Sequence, residues 1–166
     1  MNKNTLIPII AILISVGFML MGNGFQGTLL PLRADFEDFS ALSIGVLGSS
    51  YFIGFVLGCV FAPAMVRAVG HIRTFTALVA LASAVTLAHA ILVMPFAWWA
   101  LRAITGFCFA GLYMIIESWL NERATTETRG SIMGIYMVVN LGVITIGQML
   151  VVVYAPETFE AFALAS

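Results

Sequence analysis

The sequence predicts an all-α integral membrane helical bundle, with helices that pass from one face of a bilayer to the other. Three observations predict it. Of 166 residues, 61% are apolar and 9% are charged, whereas a water-facing surface calls for about a quarter charged residues. The apolar residues fall into five runs, each about as long as the ~20 residues a helix needs to cross a ~30 Å hydrocarbon core. The turns between the runs hold most of the charge. Inside the bilayer every backbone N–H and C=O must find its partner within the same segment, which makes each run a helix.

The first run spans Thr5–Pro31, with Lys3 ahead of it. It is too long for the hydrophobic core of a cleavable signal peptide, and no small-residue cleavage site closes it. Gly22, Gly24 and Gly27 surround Asn23 and Gln26. Such dense glycine predicts a bend that turns those polar groups inward. The second run, Leu42–Val66, carries Gly54 and Gly58 four residues apart, a spacing that lets two helix backbones approach closely. The third run is Arg73–Met94, the fourth Ala97–Asn121 and the fifth Ser131–Tyr154. Pro31, Pro63, Pro95 and Pro156 are expected at or near helix ends, where a missing N–H costs least. The connections are short or polar, so successive helices are expected to be antiparallel neighbours. The last residues, Glu157 to Ser166, read as a polar loop and the first apolar residues of a sixth helix. The 166 residues are therefore expected to be a piece of a longer chain.

Lys3, Arg67, Arg73, Arg123 and Arg129 fall on one side of the predicted membrane, and Arg33 stands on the other among Asp35, Glu37 and Asp38. Positive charge in short loops stays on the cytoplasmic side. The expected location is the cytoplasmic (inner) membrane, multi-pass, with the N-terminus in the cytoplasm.

Composition also removes whole function classes. A formal net charge of −1 provides no basic face for nucleic acid. Cys59 and Cys108 both lie inside apolar runs and read as small buried hydrophobes. No metal-ligand spacing exists, and no cofactor is expected. An intramembrane enzyme would want a nucleophile beside a base. His71 and His89 stand at different depths without a helical neighbour of that kind, so the chain is not expected to be an enzyme.

Ionisable groups inside a bilayer cost about 2.5–3.5 kcal/mol each at mid-helix, so each is a candidate functional residue. Arg102 and Glu117 lie in the fourth run. At 100° per residue, Arg102, Gly106, Phe109, Tyr113 and Glu117 fall at about 0°, 40°, −20°, 20° and 60°, one stripe roughly 80° wide. Cation, glycine, phenol and anion on one face suit a helix lining a polar cavity. Snorkelling of Arg102 and Glu117 to the headgroups is the alternative. In the fifth run Tyr136, Asn140 and Gly147 share a stripe, with Gln148 at its flank. Asn140 either bonds a neighbouring helix or faces a solute. Gln26 joins Arg102, Tyr113, Glu117 and Asn140 as a candidate substrate- or proton-cavity residue. His89 reads as a packed histidine rather than a proton relay.

The segment from Gly58 through Gly70-His71-Ile72-Arg73 resembles the loop signature of the major facilitator superfamily, with Arg67 where that signature usually has aspartate. Arg102-Ala-Ile-Thr-Gly106 is similar to the family's arginine–x–x–x–glycine element of helix four, and Glu122 to Arg129-Gly130 to its approach to helix five. The phrases GHIRTF and ESWLNERA resemble the bacterial YcaD-like branch. The resemblance implies a twelve-helix protein of two rocking six-helix halves. These 166 residues would be five transmembrane helices of the N-terminal half, with the C-terminal half as partner. It further implies a secondary active transporter of a small solute, working by alternating access and coupled to protons. Gly58, Gly70, Arg73, Glu122 and Arg129 would belong to a cytoplasmic gate. The glycine–proline element that marks many antiporters in helix five is absent between Gly142 and Gly147. The rival expectation is a non-transporting five-helix subunit or scaffold.

Overall fold

The computed structural model describes residues 3–153 and 159–166, with side chains from residue 13 onward in those ranges. Among the described residues the chain is all helix: α1 (Lys3–Phe36), α2 (Ala41–Val69), α3 (His71–Ile91), α4 (Pro95–Arg123), α5 (Arg129–Met149) and a short α6 (Phe159–Ala165). A 3₁₀ turn, Leu150–Val152, follows α5. Helices α1 to α5 are long and apolar enough to cross a membrane. The expected end of the fifth span at Tyr154, with Pro156 and Glu157 beyond it, lies outside the described residues, as does the side chain of Lys3.

The helix ends follow local chemistry. α1 runs five residues past the expected end at Pro31, so that proline sits inside the helix. Asp38, at φ 57°, turns the chain, and Phe39 N–H donates to the Ala34 carbonyl at 3.0 Å. Ser40 then caps α2 by accepting from the Ser43 N–H at 3.2 Å. Pro95 opens α4, two residues before the expected Ala97, in the first turn, where an N–H would have no helical partner anyway.

A single residue, Gly70, joins α2 to α3. Its N–H closes α2 on the Val66 carbonyl at 2.8 Å, and its own carbonyl accepts the Thr74 hydroxyl at 2.9 Å. It holds φ 88° and ψ 163°, a region that residues with a Cβ scarcely enter. Sequence neighbours are thus antiparallel, but the expectation that they are also the main packing partners needs correcting. The broadest interfaces join α2 to α4 and α1 to α5, and α3 lies against α4. α6 wedges against α3 and α1, with Ala161 and Phe162 buried.

Glycine decides where these helices touch. A Cβ on Gly54 would overlap the Ala103 backbone, one on Gly58 the Phe107 carbonyl, and one on Gly106 the Tyr51 carbonyl. α2 and α4 therefore interlock reciprocally. α1 and α5 repeat the device through Gly24 against Ile144 and Gly147 against Met21. In a lipid solvent, apolar side chains gain little by leaving the tails, so close backbone contact supplies the attraction. The glycine-rich stretch of α1 does not break the helix. The segment is one continuous helix, and Gly24 serves packing against α5.

The outward faces stay apolar. Phe52, Val56 and Val60 of α2 and Val138, Leu141 and Met149 of α5 are more than half exposed. Alternating helix directions gather Arg67, Arg73, Arg123 and Arg129 at one end of the bundle and place Arg33 at the other.

Candidate functional site

The polar residues of the bundle form two groups, joined by aromatic rings. The first is centred on Arg102, about 10 Å into α4 from Pro95 at 1.5 Å per residue. Its guanidinium lies over the Tyr51 ring, 4.5 Å from the centroid. Its Nη1 donates to Gln26 Oε1 at 3.3 Å, and Gln26 Nε2 donates onward to the Thr86 hydroxyl at 3.1 Å. Thr86 passes its own hydrogen to the Ala82 carbonyl at 2.9 Å. Gln26 is 1% exposed and has both ends of its amide engaged, which a buried amide requires. One chain of bonds thus ties α4 to α1 and α1 to α3. Asn23 stands beside the Tyr51 hydroxyl, with its Oδ1 buried and unpartnered.

Arg102 is held by contacts within the bundle. A snorkelling arginine reaches for headgroups, but this one is held sideways between α1 and α2 by an amide and a ring. Among the described residues it makes no ion pair. The one ion pair there joins Arg33 to Glu37 at the end of α1.

The second group lies toward the other end of α4. Asn140 of α5 stands beside the hydroxyls of Tyr113 and Tyr136, and Glu117 is close enough to both phenols to interact with them. The Tyr136 hydroxyl is buried and makes no hydrogen bond. Glu117 itself is exposed. Between the groups run Tyr51, Phe55, Tyr113 and Phe109, with successive ring centroids 6.1, 6.2 and 6.3 Å apart.

The sequence places Gln26, Arg102, Tyr113, Glu117 and Asn140 around one cavity, and the structure arranges them differently. Gln26 meets Arg102, and Tyr113 meets Asn140, but the two sets sit at opposite ends of an aromatic strip. Gly106, on the same stripe of α4, is pressed on α2 and touches nothing polar beyond backbone. A partly open cavity of 420 Å³ does exist, between α1, α3, α4 and α6. Gln26, Asn23, Ser83, Thr86 and Ser166 are its polar lining, and neither Arg102 nor Glu117 reaches it.

His89 is packed, as expected. It is fully buried, its Nδ1 lies 2.8 Å from the Val85 carbonyl and its ring meets Trp98 edge-on at 5.8 Å. Its Nε2 has no partner. Of the residues assigned to a gate, Gly58 lies within α2 against α4, and Gly70 makes the α2–α3 turn. Arg73, Glu122 and Arg129 are exposed at the basic end and form no ion pair with one another. Tyr51 and Thr86 were missed by sequence reasoning. Tyr51 sits three residues before Gly54, one turn along the face that meets α4, and that spacing was the available signal.

The Major Facilitator Superfamily pattern matches residues 12–159. Proteins described as "Uncharacterized MFS-type transporter YcaD" align over 144 residues, 25% identical in Salmonella newport (strain SL254) and 26% in Escherichia coli O45:K1 (strain S88 / ExPEC). Each alignment covers 87% of this chain and 38% of the relative, so the chain spans well under half the length of these proteins. No solved structure matches the chain. Five membrane-length apolar helices, the arginine and glycine elements in their expected order and a family match across nearly the whole chain agree: this multi-pass membrane protein belongs to the Major Facilitator Superfamily.

Proposed function

We propose that these helices belong to a secondary active transporter that carries a small solute across the cytoplasmic membrane by alternating access. The observation that carries the reading is the Arg102 centre. A guanidinium oriented by Gln26 and Tyr51 in an apolar bundle, with no carboxylate paired to it among the described residues, is a cost that a scaffold has no use for. Membership of a superfamily whose matched relatives are described as transporters supports it.

In this reading the basic end faces the cytoplasm, which puts the N-terminus inside, in keeping with the distribution of Arg67, Arg73, Arg123 and Arg129. Glu117, exposed beside Tyr113 and Tyr136, exchanges a proton as access alternates. Arg73, Glu122 and Arg129, exposed at the basic end, pair across the gate with the other half of the protein when that side closes. Gly58 and Gly70 keep α2 and α3 in place for it. The reading involves no covalent chemistry and no cofactor.

The test is proton-linked flux. Proteoliposomes holding the native gene product, loaded with a pH-sensitive dye, are challenged with a panel of small organic solutes. The expected result is solute-dependent proton movement that Glu117→Gln uncouples. No solute-dependent movement, or a Glu117→Gln protein with the same rate and pH dependence, would overturn the reading.

A further inference from the structure

The arrangement around Arg102 also indicates what class of solute it receives. We propose that Arg102 binds the carboxylate of an organic acid, with Asn23 accepting a hydrogen from the same molecule. This inference rests on the transporter reading for its biological meaning, but the binding site itself can be tested separately.

Charge is the first argument. The nearer of the two carboxylates on the same helix, Glu117, is 15 residues away, about 22 Å along α4 at 1.5 Å per residue. Glu37 is taken by Arg33. Among the described residues nothing anionic is bonded to the guanidinium, so an anion from the solute is its natural partner.

Direction is the second argument. Tyr51 covers one face of the guanidinium, and Gln26 Oε1 takes one hydrogen from Nη1. The donors on Nη2 and Nε make no hydrogen bond to a described residue, and together they form the planar fork that suits a carboxylate in bidentate contact. Beside Nη2 stands Gly27. A Cβ there would lie 3.7 Å from that nitrogen, in ordinary contact with it, so a methyl would take up space beside the fork. Asn23 Oδ1 is the third element, since it is a buried acceptor without a donor. It stands by the Tyr51 hydroxyl, on the same ring that carries Arg102. A hydroxyl or amino hydrogen next to the carboxylate would satisfy it. A hydroxy acid offers both groups.

Lactate and its neutral amide, lactamide, are the probes. Binding to the purified native gene product is followed by thermal shift and by equilibrium dialysis of labelled probe. Lactate is expected to bind and lactamide to bind at least about tenfold more weakly, a difference of about 1.4 kcal/mol. Arg102→Gln is expected to lose lactate binding by a similar factor. Gly27→Ala keeps the charge and every named hydrogen bond but places a methyl in contact with Nη2, in space a bound carboxylate would share, and is expected to weaken lactate severalfold. It serves as the reading if Arg102→Gln does not fold.

Equal binding of lactamide, wild-type affinity in both variants, or no binding of lactate overturns the proposal. The last is the result if another part of the polypeptide neutralises Arg102. The two readings fail separately. Arg102-dependent lactate binding without solute-driven flux leaves the site standing and removes the transporter. Flux of neutral or cationic solutes without lactate binding keeps the transporter and removes the carboxylate site.

Discussion

Tyr51 supports Arg102 with its ring, 4.5 Å from the guanidinium carbon to the centroid, while its carbonyl rests against Gly106, one turn further along the same helix as Arg102. The polar centre and the tightest helix crossing therefore share a residue. Substituting Gly106 by valine forces α2 from α4 and moves the ring from under the cation. The expected cost is about 1–3 kcal/mol of stability, the usual penalty of overpacking. Thermal unfolding in detergent measures it, and an unchanged midpoint would contradict the contact.

Gln26→Glu tests the bond between α1 and α4. A carboxylate in place of the amide lies within reach of Arg102 Nη1, now 3.3 Å from Oε1. The carboxylate forfeits the Nε2 donor to Thr86 but gives the buried guanidinium an ion-pair partner; relief of an uncompensated charge is the larger effect, so the folded state gains stability. The internal ion pair also occupies the guanidinium. The expected outcome is a higher unfolding midpoint with solute flux lost, and the two are measured on the same preparation.

Tyr136→Phe separates stability from transport at the other polar group. The hydroxyl is buried and unbonded, so its removal relieves a desolvated group. Stability should hold or rise by about 1 kcal/mol. If the hydroxyl serves Glu117 and Asn140 during transport, the flux falls while the midpoint does not.

Gly70→Ala strains the one-residue joint between α2 and α3. A Cβ at φ 88° and ψ 163° costs about 1–3 kcal/mol although no atom stands in its way. The expected result is a lower unfolding midpoint; equal stability would show that the joint relaxes freely.

Single cysteines report sidedness. In a Cys59→Ala, Cys108→Ala background, Asp35→Cys should react with an impermeant maleimide added to intact cells. Thr126→Cys should react only after permeabilisation. The reverse pattern inverts the proposed orientation.

The spans were legible in the sequence because hydropathy and length alone decide them. So was the close approach of α2, since Gly54 and Gly58 are spaced by one helical turn. Gln26 and Arg102 were each recognisable as polar groups in apolar surroundings. Their hydrogen bond was not, because it joins residues 76 positions apart and depends on how each helix is rotated. Helices apolar on all sides carry no stripe strong enough to set that rotation. Projecting α4 alone put Gly106 and Glu117 on one functional face. The structure spends part of that face on α2, because glycine draws in a backbone where a larger residue would line a cavity. Tyr51 escaped notice because an aromatic ring in an apolar helix reads as lipid-facing.

The reciprocal glycine contacts also bear on how this fold can change over time. Where two helices meet through side chains, as α6 meets α3 and α1 through Phe162, a substitution on one side can be absorbed by a smaller or larger neighbour. At Gly54 and Gly106 there is no such shim. Each backbone is itself the surface the other rests on, and the only smaller alternative to glycine is no residue at all. The spacing of α2 and α4 is therefore inherited unchanged or lost. Diversification is left to the broad lipid-facing sides and to the few polar residues held between the clasps.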